Sequence, residues 1–177
     1  MARRKDKTTA QESVNDSGSR DGSNGTSGMD RAADLAGSHF RYGWLMLLVF
    51  LTLGIILEGL HGFKSQWYLS VANETRRLML TLGHAHGTLF GLINLGFAAT
   101  CAAGYFGVNR PGTGLASGLL KVSSIMMPAG FILGGIKIYG GDPGLGIILV
   151  PVGAILMLAA VTIIFLNIRK SPGSTSK

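Results

Sequence analysis

The sequence predicts an all-α fold: an integral membrane four-helix up-down bundle that follows a disordered N-terminal tail. Of the 177 residues, 47% are hydrophobic and only 14% are charged, with a mean hydropathy of +0.37. This composition is oily for a soluble domain of this size. The apolar residues are concentrated in four long segments that follow residue 38. Short turn-rich connections separate the later segments, and such connections join antiparallel neighbours.

The first 38 residues are polar and have no apolar periodicity. Such a stretch buries too little apolar surface to compensate for the entropy lost on ordering. We therefore predict a disordered tail over 1–38, a four-helix membrane domain over 39–170 and a short tail over 171–177. A cleavable signal peptide is not expected, because no apolar run follows the opening "ARRK".

Each apolar segment can cross a hydrocarbon core of about 30 Å, which takes about 20 helical residues. The predicted spans cover about 42–61, 78–106, 116–138 and 145–168. Turn chemistry marks two of the separators, "NRPGTG" from Asn109 and "YGGDPG" from Tyr139. The first loop contains an interfacial Trp67–Tyr68 pair and a predicted N-cap, Asn73. We expect this loop to lie along the membrane surface, as a lid or as a simple connector.

The basic residues predict that both termini lie in the cytoplasm. The tail, the second loop and the C-terminus share one side, with the basic residues Arg31, Arg41, Arg110, Lys121, Arg169, Lys170 and Lys177. The opposite side has Lys64, Arg76, Arg77 and Lys137. The excess on the tail side follows the positive-inside rule, and in a bacterium the membrane would be the inner membrane.

Composition also bounds the partners. The net charge of +7 does not indicate nucleic acid, because the 16 Lys and Arg residues form no basic stripe interleaved with aromatics. The single cysteine, Cys101, cannot form an internal disulfide and is expected to pack as a small apolar residue. The expected partners are the lipid bilayer and a second copy of the chain or a larger membrane complex.

Small residues recur within the spans at the spacing that lets helices approach closely in lipid. They are Gly83, Gly87 and Gly91 in the second span and Gly130 and Gly134 in the third. We predict that these glycines lie at helix–helix contacts.

Four ionisable side chains are predicted to share one depth near the non-cytoplasmic face. Glu58 and His61 end the first span, and His84 and His86 begin the second. Because the two spans form a hairpin, the end of one and the start of the next lie at the same face. Intramembrane ionisable groups are functional candidates by default.

Three further residues are expected to support this site: Asn94, deeper on the second span, and Lys64 and Asp142 in the loops. In the other half of the bundle, Lys121 is the one obvious ionisable residue. The sequence therefore predicts a bundle whose polarity is one-sided.

The two histidines of the second span differ in direction. At about 100° per residue, His84 and His86 project about 200° apart on a helix. They can share one small centre only if the helix begins near Gly83. His84 lies close to the stripe of Gly87 and Gly91, so it is the better interior ligand, and His86 is the better contact for a second partner.

Imidazole is a common ligand of iron, copper and zinc, and a nearby carboxylate can bind or orient it. We therefore predict that Glu58, His61, His84 and His86 bind heme b or a transition metal (Fe, Cu or Zn). Heme b needs one or two histidines and a groove of small residues, and the glycine-rich second span is expected to provide that groove. A second E-x-x-H and further carboxylates are absent, so a di-iron site is not supported. No C-x-x-C-H is present, which excludes covalently attached c-type heme.

The stretch "HAHGTLFG", His84–Gly91, resembles the H-A-H-x-x-L-F-G pattern of the heme- and copper-containing NnrS membrane proteins. It is also similar to the heme-ligating second helix of heme-copper oxidase and nitric oxide reductase catalytic subunits. The resemblance covers under a tenth of the chain. It implies a hairpin in which His84 and His86 ligate heme or a metal. It does not imply oxygen reduction, because nothing here resembles the oxidase copper-site histidine pair.

Three functions follow as hypotheses. The first is heme or metal binding in a redox or sensing role. The second is a metal-free membrane enzyme in which the same groups do acid-base chemistry on a small apolar substrate. The third is an accessory or assembly subunit whose polar cluster only ties the helices together.

Overall fold

The computed structural model describes residues 6–71 and 74–170, with side chains described from residue 27 onward. The predicted N-cap Asn73, residues 1–5 of the predicted N-terminal tail and the predicted tail 171–177 lie outside the described residues. The elements are α1 Asp6–Gly62, α2 Gln66–Leu69, α3 Glu74–Ala102, α4 Thr113–Ile136, β1 Ile138–Tyr139, β2 Asp142–Pro143, a 3-10 helix Leu145–Ile148 and α5 Leu149–Arg169.

In the described part of the chain, four helical segments are long and apolar enough to cross a membrane. They are Ser27–Gly62, Glu74–Ala102, Thr113–Ile136 and Leu145–Arg169. The prediction of four apolar membrane-length helices is confirmed, and it agrees with an integral membrane protein. Large apolar side chains such as Leu48, Ile55 and Phe165 point out of the bundle, as a lipid-facing surface requires.

The first membrane-length helix begins earlier than the sequence predicts. Residues 27–38 were assigned to a disordered tail, whereas in the structure they belong to α1. The helix extends into this polar segment because α1 carries a stripe of buried residues there, which its polar composition did not indicate. Ala36, His39, Gly43 and Met46 are buried at helical spacing, so this part of α1 has a face to pack against the bundle.

The second membrane-length helix, α3, ends at Ala102, four residues before the predicted end of its span at Phe106. Gly104 has a φ of 75°, a left-handed conformation that glycine adopts at low cost. The Tyr105 amide then donates to the Thr100 carbonyl at 3.2 Å, which satisfies one of the last carbonyls of α3.

Consecutive long helices pack together: α1 on α3, α3 on α4 and α4 on α5. On the first pair, Gly43 meets Gly91, and Gly54 meets His84 further along. On the second pair, Asn94 meets Ser124 and Gly83 meets Ile132. In both pairs, a higher residue number on one helix meets a lower residue number on the other.

The five glycines of the predicted packing stripes are all buried. A Cβ atom added at Gly87 would lie on the Phe50 ring, and one at Gly91 would lie 3.1 Å from the Gly43 carbonyl oxygen. At Gly130 the added atom would lie 2.9 Å from the side chain of Val150, whereas Gly134 has more room. These contacts bring α1 against α3 and α5 against α4.

Two apolar clusters form the core. The larger one lies at the tail-side end and contains Phe90, Phe97, Phe106, Leu120 and Met157, together with Cys101. The smaller one lies at the opposite end and joins Leu57, Tyr68 and Leu80. The candidate histidines are therefore held between two packed regions.

Candidate functional site

Glu58 and His61 lie where α1 ends, and both side chains are exposed. His61 borders two open grooves over the first loop, one with Lys64 and one with Tyr68 and Glu74. Neither groove has His84 or His86 in its lining. The structure therefore places the two end-of-helix candidates at the surface of the bundle.

His84 is half-buried between α3 and α1. Its Nδ1 lies 2.7 Å from the Phe50 carbonyl oxygen, and its ring covers Gly54 so closely that a Cβ there would overlap the imidazole. A carbonyl oxygen only accepts, so Nδ1 carries the proton and donates. In the neutral imidazole, Nε2 is then the unprotonated acceptor.

His86 is half-buried on another side of α3. Its Nδ1 donates to the Leu82 carbonyl, one turn back on the same helix, at 2.8 Å. The ring lies 4.9 Å, between centroids, from Phe131 of α4, and it also meets Phe90 edge-on. As for His84, the hydrogen bond of Nδ1 leaves Nε2 as the acceptor of the neutral ring.

The Nε2 atoms of both rings have no hydrogen-bond partner in the part of the chain that the structure describes. No fully buried side-chain nitrogen or oxygen in that part lacks a partner, so each unpaired Nε2 retains some accessible surface. His84 and His86 each present one free acceptor at membrane depth.

The four predicted ligands do not meet. His84 packs toward α1 and His86 toward α4, as their angular separation on a helix requires. Within residues 27–71 and 74–170, no group of three or more His, Cys, Asp or Glu side chains could hold a metal ion. The set therefore does not fit one shared metal centre within a single chain.

The predicted heme groove is also occupied. Phe50 fills the space over Gly87, Leu47 lies over Gly91 and Ile132 lies over Gly83. The glycine stripe of α3 is covered by the chain's own side chains, so a porphyrin does not fit along it inside the bundle.

The supporting residues separate as well. Lys64 is exposed in the first loop, where its backbone takes a φ of 53°, and Asp142 is exposed in the β1–β2 turn region. Asn94 is fully buried at a different level. Asn94 thus belongs to another cluster, which is not among the predictions from the sequence.

That cluster centres on His39, which has no exposed surface. Its Nδ1 donates to Asn94 Oδ1 at 2.7 Å, and its Nε2 accepts from Ser117 Oγ at 2.8 Å. The Asn94 amide donates to Ser124 Oγ at 2.9 Å and to the Phe90 carbonyl at 2.8 Å. Polar side chains of α1, α3 and α4 are joined at one level.

A second polar group lies beside the first. Lys121 Nζ donates to Ser38 Oγ at 2.7 Å, and the Tyr42 hydroxyl donates to the Lys121 carbonyl at 2.9 Å. His39 is a second ionisable side chain in this half of the bundle, so the prediction that Lys121 is the one obvious ionisable residue there is wrong. His39 was missed because it was placed next to the polar tail. Its signal was the spacing of Leu35, His39 and Tyr42, which continues the inward stripe of α1.

The first loop is fixed to the bundle. Arg76 Nη1 donates to the Trp67 carbonyl at 2.8 Å, and its guanidinium lies 4.6 Å from the centroid of the Trp67 ring. Arg76 Nε also donates to the Gly135 carbonyl at 3.3 Å, which ties the loop to α4. Tyr68 of α2 is buried, with its hydroxyl 3.4 Å from Thr81 Oγ1.

Comparisons with models of known protein families, with curated proteins and with solved structures found no match for this chain.

Proposed function

We propose that the protein spans the membrane as an up-down four-helix bundle with both termini in the cytoplasm, in the inner membrane if the cell is bacterial. Residue numbers run in opposite directions along the contacts of α1 with α3 and of α3 with α4, which supports this topology. The excess of Lys and Arg on the tail side supports the orientation.

Within that bundle, the function we infer is binding of heme b or a transition-metal ion through Nε2 of His84 or His86. One observation supports it above the others: both rings donate Nδ1–H to a backbone carbonyl and keep an accessible Nε2 acceptor. Metal-ligating histidines commonly donate their other ring N–H to a carbonyl or carboxylate, which fixes the ring and raises its basicity. An unpaired imidazole acceptor facing lipid is otherwise costly.

The bound group would lie on the outer surface of the bundle, because the glycine stripe inside is filled. Each histidine supplies one ligand, and Glu58 and His61 have no part in the same centre. The remaining ligands would come from outside the chain, from a second copy or a larger membrane complex. Heme or a redox-active metal would supply electron transfer or ligand sensing, and the chain's own residues orient the imidazole.

The experiment is an absorbance spectrum with Fe, Cu and Zn analysis of the full-length protein purified from membranes. We expect a Soret band or stoichiometric metal that falls in His84→Ala or His86→Ala and persists in the matched control His61→Ala. Absence of both a Soret band and stoichiometric metal in the wild-type protein contradicts the proposal, as does a signal that survives the His84→Ala/His86→Ala double variant.

The second candidate is an accessory or assembly subunit, favoured by the His39 cluster. Every hydrogen-bonding atom of the His39 ring and the Asn94 amide has a partner within the bundle. This arrangement ties helices together and requires no ligand. A protein that carries no heme or metal, but stabilises a co-purifying membrane complex in a His39-dependent way, would favour this function.

A further inference from the structure

A groove at the tail-side end of the bundle combines cationic and apolar walls. Its volume is about 320 Å³, and its lining residues are Arg110, Pro111, Ile163, Leu166, Asn167 and Lys170. It lies where the loop before α4 meets the C-terminal turn of α5. Neither the His84 and His86 rings nor the His39 cluster contributes to it.

Arg110 is fixed in this groove without losing its charge. The guanidinium donates Nη1–H to the Asn167 carbonyl, and Nη2 donates to the Lys170 carbonyl at 2.7 Å. Backbone carbonyls satisfy donors but carry no full negative charge. No carboxylate pairs with Arg110 or with the Lys170 ammonium among the residues that the structure describes. Two positive charges without a carboxylate partner among the described residues therefore share one concave surface.

The apolar wall continues from the charges along α5. Ile163, Leu166 and Lys170 lie at spacings of three and four residues, so they share a face of the helix. Leu166 is 44% exposed in a helix that is apolar enough to cross a membrane. The groove thus has a cationic end at the level of the helix terminus and an apolar strip that runs toward the hydrocarbon core.

We propose that this groove binds an anionic phospholipid, with the phosphate between Arg110 and Lys170 and an acyl chain along Ile163 and Leu166. Charge complementarity selects an anionic head group, and the continuous apolar strip selects a lipid over a soluble anion. Basic pockets between membrane helices bind anionic head groups in this way.

The test uses the full-length protein in mild detergent, with phosphatidylglycerol or phosphatidylcholine of identical acyl chains. Native mass spectrometry measures the lipid retained, and thermal denaturation measures the stability. We expect at least threefold preferential retention of phosphatidylglycerol with a higher Tm. Lys170→Glu should abolish the preference, and the matched control Lys137→Glu, exposed at the opposite end, should keep it.

Three outcomes of the lipid comparison overturn the proposal: equal retention of the two lipids by the wild-type protein, an unchanged preference in Lys170→Glu, or loss of the preference in Lys137→Glu as well. A separate arm adds sodium phosphate alone. A stabilisation by inorganic phosphate equal to that by phosphatidylglycerol would show a site for a free anion and would also contradict lipid binding. Arg110→Gln is a second variant that should also lose the preference, and a preference that this variant keeps contradicts the proposal.

Discussion

His39 of α1 and Asn94 of α3 face each other in the buried interior, with the imidazole Nδ1 2.7 Å from the carboxamide Oδ1. Because Nδ1 donates, Nε2 accepts a hydrogen bond from the Ser117 hydroxyl. The Asn94 amide in turn donates a hydrogen bond to Ser124 Oγ. Ser124 then donates to the Leu120 carbonyl. In this chain of hydrogen bonds, each side chain accepts from the one before it and donates to the one after it. Removal of one side chain therefore leaves its neighbours without a partner.

The first prediction concerns this pair. His39→Ala leaves Asn94 Oδ1 and the Ser117 hydroxyl without their partner, so we expect the free energy of unfolding in detergent to fall by about 1–3 kcal/mol. A double-mutant cycle with Asn94→Ala should give a coupling energy of about 0.6 kcal/mol, and up to about 1.7 kcal/mol. Reversible unfolding by denaturant provides both values.

The control for this cycle is His61→Ala, because His61 is exposed at the end of α1. Its free energy of unfolding should stay within about 0.5 kcal/mol of the wild-type value. A His39→Ala protein as stable as His61→Ala would contradict a structural role for the buried cluster.

The second prediction concerns the crossing of α1 and α3 at Gly43 and Gly91. A Cβ atom at residue 43 would lie 2.9 Å from the Gly91 carbonyl oxygen and 2.8 Å from Leu95 Cγ. Gly43→Ala should therefore cost about 1–3 kcal/mol of stability through overpacking. Gly37→Ala, on the same helix with no atom within 4 Å of the added Cβ, should be neutral or stabilising by up to about 1 kcal/mol. Equal effects on Tm would rule out this close crossing.

The third prediction links helix packing to the candidate ligand. A methyl group at Gly54 would overlap the His84 imidazole, whereas one at Gly59 would meet no atom within 4 Å. Gly54→Ala should displace the ring from the Phe50 carbonyl and lower any heme or metal content that depends on His84, and Gly59→Ala should not. If His84→Ala removes the bound group but Gly54→Ala leaves it unchanged, the position of this ring does not control binding.

The fourth prediction concerns the first loop, which Arg76 holds through the Trp67 carbonyl and ring. Arg76→Gln should raise hydrogen exchange across residues 63–71 by about tenfold, which corresponds to a loss of about 1.4 kcal/mol of local stability. Arg77→Gln is the matched control, because no hydrogen bond of that side chain to another described residue is found. Similar exchange in both variants would show that Arg76 does not anchor the loop.

Composition and spacing were sufficient for the coarse architecture. Apolar runs of membrane length predicted the four helices, and the helical wheel predicted that His84 and His86 diverge, as their contacts with Phe50 and Phe131 show. The point at which a helix ends was harder to predict from the sequence. Gly104 adopts a left-handed backbone conformation just after α3, which ends before Phe106. A pattern of apolar residues does not predict such a φ angle.

The candidate site was harder to predict, because the membrane depth of a residue does not determine the direction in which its side chain points. Glu58 and His61 were expected beside His84 from the hairpin topology, but their side chains face outward. His39 was missed for the opposite reason. Its neighbours Ser38 and Arg41 are polar, so the composition resembled the tail, yet helical spacing directs the imidazole onto Asn94.

The central claim is that His84 and His86 each offer an unprotonated Nε2 to a metal or to heme iron. Nitrogen NMR of the full-length protein with isotopically labelled histidine side chains tests it most directly. Before any addition, Nδ1 of both rings should be protonated and Nε2 unprotonated. Addition of heme or a transition-metal ion should shift the Nε2 signal of His84 or His86 and leave His39 unchanged. A protonated Nε2 on both rings, or no shift of either with any added group, would contradict the account.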